Sequence, residues 1–191
     1  MDRRGRTEIA IALAGLLSGG CLCQEFTEYH FTRVPPSGPD RVRIIRRHIE
    51  SDASIEAERR ADLETLIDLL SSDDVLLDAL DEGLYVKDRR LAVERGQLVA
   101  IETAITRDLH DVDVEWNDRL LNFVSGDTLA LHVPAASLVS TNGRRIADRD
   151  SVWIVWPRDA RQLDLVVRDA DFAPHPKSAL AKLYLTRPRK R

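Results

Sequence analysis

Cysteine is nearly absent from this chain. Of its 191 residues only Cys21 and Cys23 carry a thiol, and both lie near the N-terminus, so no disulfide framework staples the fold. The single methionine is the initiator, and aromatic residues make up 5% of the chain. A core must then come from Leu, Ile, Val and Ala. Such a core is well specified by rotamers and offers little soft, adaptable surface. Positive charge is not in excess either: 28 Lys and Arg face 32 Asp and Glu, a net charge of −4. That balance argues against general nucleic-acid binding, which needs a net positive surface. Catalytic signatures are missing as well. There is no Gly-x-Ser-x-Gly elbow, no Gly-rich phosphate loop, no His-Glu-x-x-His and no paired-cysteine metal site. No repeat and no long low-complexity linker stands out. No specific activity follows from such a sequence; address, anchoring and architecture do.

The most informative segment is the N-terminus. Arg3, Arg4 and Arg6 precede the apolar run Ile9 to Leu17, and Ser18, Gly19, Gly20 and Cys21 follow. The run covers about 14 Å as a helix at roughly 1.5 Å per residue. The hydrocarbon core of a bilayer is roughly 30 Å thick, so the run is too short to stay as a span. A basic n-region, an apolar h-region and small residues before a cleavage site read as a secretory signal over residues 1–20. By the residues alone, an ordinary cleaved signal and an uncleaved buried helix remain open. The order Ser18-Gly19-Gly20-Cys21 resembles the lipobox of bacterial lipoprotein precursors, with Ser18 where that family usually has Leu. The resemblance implies acylation of the Cys21 thiol, cleavage before it and acylation of the new amino terminus. Two or more acyl chains hold a protein stably, whereas one does so only reversibly. Leu22 stands where Asp favours inner-membrane retention in enterobacterial lipoproteins. The resemblance therefore implies an outer-membrane protein facing the periplasm.

The remainder reads as a short lipidated tether at 21–25, one domain at 26–186 and a basic tail at 187–191. Glu25 to Val34 and Arg41 to Ile49 alternate as strands around the turn-forming Pro35 to Asp40. Leu63, Leu66, Ile67 and Leu70 repeat at helical spacing, which predicts one main helix over about 53–71, with N-cap candidates at Ser51 to Ser54. A short helix follows over Val75 to Asp81, ending at Gly83. Leu84 to Val93 and Gln97 to Arg107 form a hairpin about Arg95-Gly96. Asp108 to Trp116 reads as an acidic connector with room for a helical turn. Further hairpins are predicted between Arg119–Val124 and Thr128–Val133, and between Leu138–Thr141 and Ser151–Trp156. Gln162 to Arg168 closes the sheet, and Ser178 to Leu185 is a terminal helix. The fold class is α+β: an antiparallel sheet of serial hairpins with the main helix on one face.

Candidate sites are weak. Asp108, His110, Asp111 and Asp113 gather hard-metal ligands within six residues, but they lack the glycine and terminal Glu of an EF-hand loop. A solvated acidic loop is the plainer reading. Val152 to Trp156 is apolar on both faces. That implies either central burial or an exposed ledge, with Trp153 and Trp156 as ligand or partner contacts. Arg41, Arg43, Arg46 and Arg47 form a second basic cluster, on the second strand, and would make one positive patch with the basic tail if the two are neighbours. Cys23 reads as a bystander thiol or, more sharply, a site of intermolecular disulfide formation. No cofactor and no nucleic acid is expected. The expected partners are the membrane, through the lipid, and an envelope protein. The leading expectation is a lipid-anchored binding or scaffold module. An apolar-ligand carrier between helix and sheet is the second, and a hydrolase using the groups of 108–113 is the third.

Overall fold

A computed structural model describes residues 22–34, 38–73, 76, 84–107, 109, 113–116, 119–122, 128–169, 172 and 180–188. The fold is α+β, as the sequence predicts. In chain order the elements are β1 (Leu22–Thr32), β2 (Asp40–Ser51), α1 (Glu56–Leu70), β3 (Leu84–Glu94) and β4 (Gln97–Thr106). Then come β5 (Asp113–Trp116), β6 (Arg119–Asn122), β7 (Thr128–Pro134), β8 (Leu138–Thr141), β9 (Arg144–Asp148), β10 (Ser151–Pro157), β11 (Gln162–Arg168) and α2 (Leu180–Thr186). Of the predicted helix over Val75 to Asp81 only Leu76 is among the described residues, and it is helical.

Among the described residues the single predicted sheet is three. A six-stranded sheet runs β3-β4-β2-β1-β11-β8, a three-stranded one β7-β10-β9, and β5 pairs with β6. Every pairing is antiparallel. The hairpins β1–β2 and β3–β4 form as predicted. Arg95 and Gly96 both take positive φ, 52° and 82°, which matches the twist of a two-residue connection. The two outermost pairings of the large sheet, β3–β4 and β11–β8, each carry a register shift, at Val86/Asp88 and Val166/Val167.

Three local readings are corrected. β6 pairs with β5 rather than β7, and part of the expected acidic connector is strand β5. β8 pairs with β11, while β10 pairs with β7 and β9. The reason lies at Asn142-Gly143, which is a crossing between sheets and not a hairpin loop. Asn142 Oδ1 accepts from Trp156 Nε1 at 2.7 Å and from the Asp164 amide at 2.9 Å. A Cβ on Gly143 would lie 2.5 Å from Ile154 Cγ2, so only glycine lets the backbone pass this close. Finally, α1 begins at Glu56 rather than Ala53. Ser51 is still strand, and its hydroxyl donates to Asp62 and accepts the Ala53 amide. Ile55 takes the N-cap position without a side-chain cap.

Strand alternation divides the large sheet into an inner and an outer face. On the inner face Tyr29, Phe31, Val42, Ile44, Leu163, Leu165 and Val167 pack with Leu129, Leu131, Val133, Ile154 and Trp156 of the small sheet. This is sheet-on-sheet packing. Farther along, Leu98 and Ala100 meet Leu63 and Leu66 of α1 and Leu180, Ala181 and Leu183 of α2. The inner face is thus covered twice over, by a sheet at one end and by helices at the other. His48, at φ 58°, interrupts the alternation of β2 so that Ile49 joins the helix-side cluster. Its ring nitrogens lie 2.7 Å from Glu25 Oε2 and 2.7 Å from Glu50 Oε1.

The tether expected at 21–25 is strand from Leu22 onward, because Leu22, Cys23 and Gln24 pair with Ser51, Glu50 and Ile49. Cys23 is therefore half-buried in β1. Burial, with help from Glu50, Asp52 and Asp169, pushes its thiol up from 9.0 to about 11. The nucleophile is the thiolate. Alkylation by iodoacetamide at pH 8 is therefore expected to run about 100-fold slower than for a free cysteine, one decade per pKa unit. A rate within threefold of the free thiol would refute this. The folded state also keeps this proton between about pH 9 and 11, where the unfolded chain loses it, so stability falls as pH rises through that window.

Candidate functional site

Two surface hollows are formed by the described residues. One, of about 660 Å³, lies on the small sheet among Thr128, Arg144, Val155, Pro157, Arg158 and Asp159. Its lining mixes charges of both signs with apolar groups. The other, of about 460 Å³, lies on the outer face of the large sheet, where β1, β2, β4 and β11 run side by side; His30, Arg41, Arg43, Lys87, Thr103 and Gln162 are among its lining residues. It is the smaller hollow but the more specific one. Arg41, Arg43 and Lys87 are exposed, and none has an ion-pair partner among the described residues.

Register explains how the groove forms. Arg41 sits opposite Thr32 and Ile105, and Arg43 opposite His30 and Thr103. Alternate positions on three neighbouring strands therefore project to the same side. His30 Nδ1 lies 2.7 Å from Asp164 Oδ1, which fixes its ring against β11. Gln162 Nε2 donates to Asp164 Oδ2 at 2.9 Å. A concave surface with three cations, two threonine hydroxyls and an amide suits a phosphate or carboxylate. It does not suit nucleophilic catalysis, because the ring nitrogens of His30 face Asp164 and Glu28 rather than a hydroxyl.

The four-arginine cluster of β2 does not act as one patch. Arg41 and Arg43 line the groove. Arg47, on the same face, is claimed by Glu28 and by Glu94, the latter at 2.6 Å. Glu28 and Glu94 hold the Arg47 guanidinium above its ordinary value, and Arg47 in turn holds the Glu94 carboxyl below the usual range. Arg46 faces inward and is 1% exposed. In the tail, the Arg187 guanidinium stacks over Tyr184 at 4.1 Å.

Cys21, Asp108, His110 and Asp111 lie outside the described residues, as does the side chain of Asp113. Among the described residues no His, Cys, Asp and Glu cluster could hold a metal ion, and no helix is long and apolar enough to cross a membrane. Trp156 is 2% exposed within the two-sheet core. Trp153, one residue out of phase with its neighbours Ile154 and Val152, points to the opposite face of β10, where its ring stacks on His132 at 4.5 Å. The two indoles therefore share no cleft, and neither lies between helix and sheet. That layer is filled by Leu63, Leu66, Leu98 and Ala100, all 3% exposed or less. The sequence reading missed Lys87, Thr103 and Gln162. Their signal was available only once the strand order was known, since they come from strands far apart in the chain.

Compared with known proteins, the chain matches no family model, no curated protein and no solved structure.

Proposed function

We propose that this protein is a lipid-anchored binding module of the bacterial envelope, tethered through Cys21, whose outer-face groove takes anionic ligands bearing phosphate or carboxylate groups. One observation carries the reading: β1 runs without interruption from Leu22, next to Cys21, to Thr32 in the groove. At about 3.3 Å per residue, that strand sets the groove roughly 30 Å from the anchoring residue. The groove can then stand clear of the bilayer by up to that length, within reach of whatever crosses the space beyond it.

The test has two arms. Mass spectrometry of protein extracted from membranes is expected to find Cys21 as the first residue, carrying acyl chains, and Cys21→Ala is expected to release the protein into the soluble fraction. A soluble product with an unmodified thiol at residue 21 overturns the anchor. For the groove, the probe is pyrophosphate. Arg41→Glu with Arg43→Glu is expected to weaken its binding at least tenfold while leaving the unfolding midpoint within 2 °C, because both side chains are exposed. Binding that is unchanged in this variant overturns the groove.

A further inference from the structure

The inner face of the large sheet carries charge where hydrocarbon is expected. Arg46 is 1% exposed and Glu102 is 3% exposed, and the Arg89 side chain is 3% exposed. Register puts them together. Arg89 of β3 lies opposite Glu102 of β4. Arg46 of β2 lies opposite Ala100, the next inward position along β4. The two guanidiniums thus flank one strand on one face. They do so between the sheet-side and the helix-side core clusters.

The charges do not balance. Arg89 Nε donates to Glu102 Oε2 at 2.7 Å. Beyond that bond, Nη1 and Nη2 of Arg89 and Nε and Nη1 of Arg46 have no hydrogen-bond partner among the described residues. Two guanidiniums against one carboxylate leave one positive charge over. Guanidinium does not shed its proton to relieve this. Burial presses the Arg46 guanidinium below its ordinary value; Tyr29 and Glu102 oppose that, and Arg89 adds to it. Among the described residues the other buried carboxylates lie elsewhere: Asp40 accepts the amides of Val34 and Leu109, and Glu50, four residues along β2 from Arg46, turns Oε1 to His48 while its Oε2 has no partner. An uncompensated buried charge costs several kcal/mol even after relaxation, and orphaned N–H groups add to that. Meanwhile β4 presents its smallest side chains here, Ala100 and Ala104, on either side of Glu102.

We propose that Arg46 and Arg89 bind a small monovalent anion within the core, over the Ala100–Ala104 stretch of β4. One negative charge neutralises the site, and a halide or a formate-sized carboxylate is small enough for a layer so closely packed. The orphaned nitrogens supply charge-assisted donors to it. The site is separate from the outer-face groove, from which the sheet divides it.

The experiment is thermal unfolding of the full-length protein at constant ionic strength. Chloride, bromide or formate replaces a bulky anion such as gluconate. An anion that binds only the folded state raises the midpoint by mass action. The expected rise is about 5 °C, saturating with concentration, and it is kept in the variant with Arg41→Glu and Arg43→Glu. Arg46→Met removes the surplus charge and leaves Arg89 and Glu102 as a neutral pair, so this variant is expected to respond equally to all anions. If it fails to fold, bromide-soaked crystals of the native protein decide: an anomalous peak within 3.5 Å of a guanidinium nitrogen of Arg46 or Arg89 is expected. A midpoint that is indifferent to anion size, or bromide found only at the surface, overturns the proposal.

Discussion

Replacing Trp156 by alanine is expected to destabilise the protein by about 3–5 kcal/mol, the range for emptying a large aromatic site in a core. The residue combines two roles. Its ring is 2% exposed and fills the layer between the two sheets with Ile154, Leu163 and Leu165. Its Nε1 donates to Asn142 Oδ1 at 2.7 Å, and that oxygen also receives the Asp164 amide. Truncation therefore opens a void beneath Gly143 and loosens the crossing that carries the chain from the large sheet to the small one. Trp156→Phe keeps most of the buried area and loses the hydrogen bond, so about 1–2 kcal/mol is expected for it. Urea unfolding reads both variants. A loss below 1 kcal/mol for the alanine variant would mean that the ring packs loosely enough to serve as a contact surface after all.

Glu102→Ala is expected to cost about as much, roughly 3–5 kcal/mol, for a different reason. The carboxylate is 3% exposed and receives Arg89 Nε at 2.7 Å. Its removal leaves Arg46 and Arg89 on either side of β4 in low dielectric with no fixed counter-charge. A cavity accounts for only part of that cost, and a second variant separates the parts. Converting all three residues together, Arg46→Met, Arg89→Met and Glu102→Leu, removes the charges while keeping volume. It is expected to recover most of the lost stability, as apolar replacements of buried ion pairs do. If the triple variant is no more stable than Glu102→Ala alone, packing dominates and the electrostatic account fails.

Legibility in the sequence followed the range of the interactions. The β1–β2 and β3–β4 hairpins could be read because each is closed by its own turn, the second by Arg95-Gly96 with both φ angles positive. The main helix could be read from spacing, although Ser51 engages its hydroxyl with Asp62 and Ala53 and so moves the start of α1. What could not be read was strand order. Asn142-Gly143 has the composition of a hairpin turn, and only the approach of Ile154 and Trp156 to within contact of the glycine turns it into a crossing. The groove was lost for the same reason, since His30, Lys87, Thr103 and Gln162 meet only through cross-strand register. Arg46 is a different kind of miss. Val42, Ile44 and Arg46 share one parity on β2, so a buried arginine was already implied once that face was taken as the inner one. Proximity in sequence to Arg41, Arg43 and Arg47 concealed it.

The two register shifts lie in the outermost pairings of the large sheet, where β3 meets β4 and β8 meets β11. A straight outer strand offers unpaired amides and carbonyls as a template on which another chain can crystallise its own backbone. A bulge twists that ladder out of line and spoils the match. Many copies crowded side by side would thus meet with mismatched rims, which keeps them from zipping into a continuous fibre.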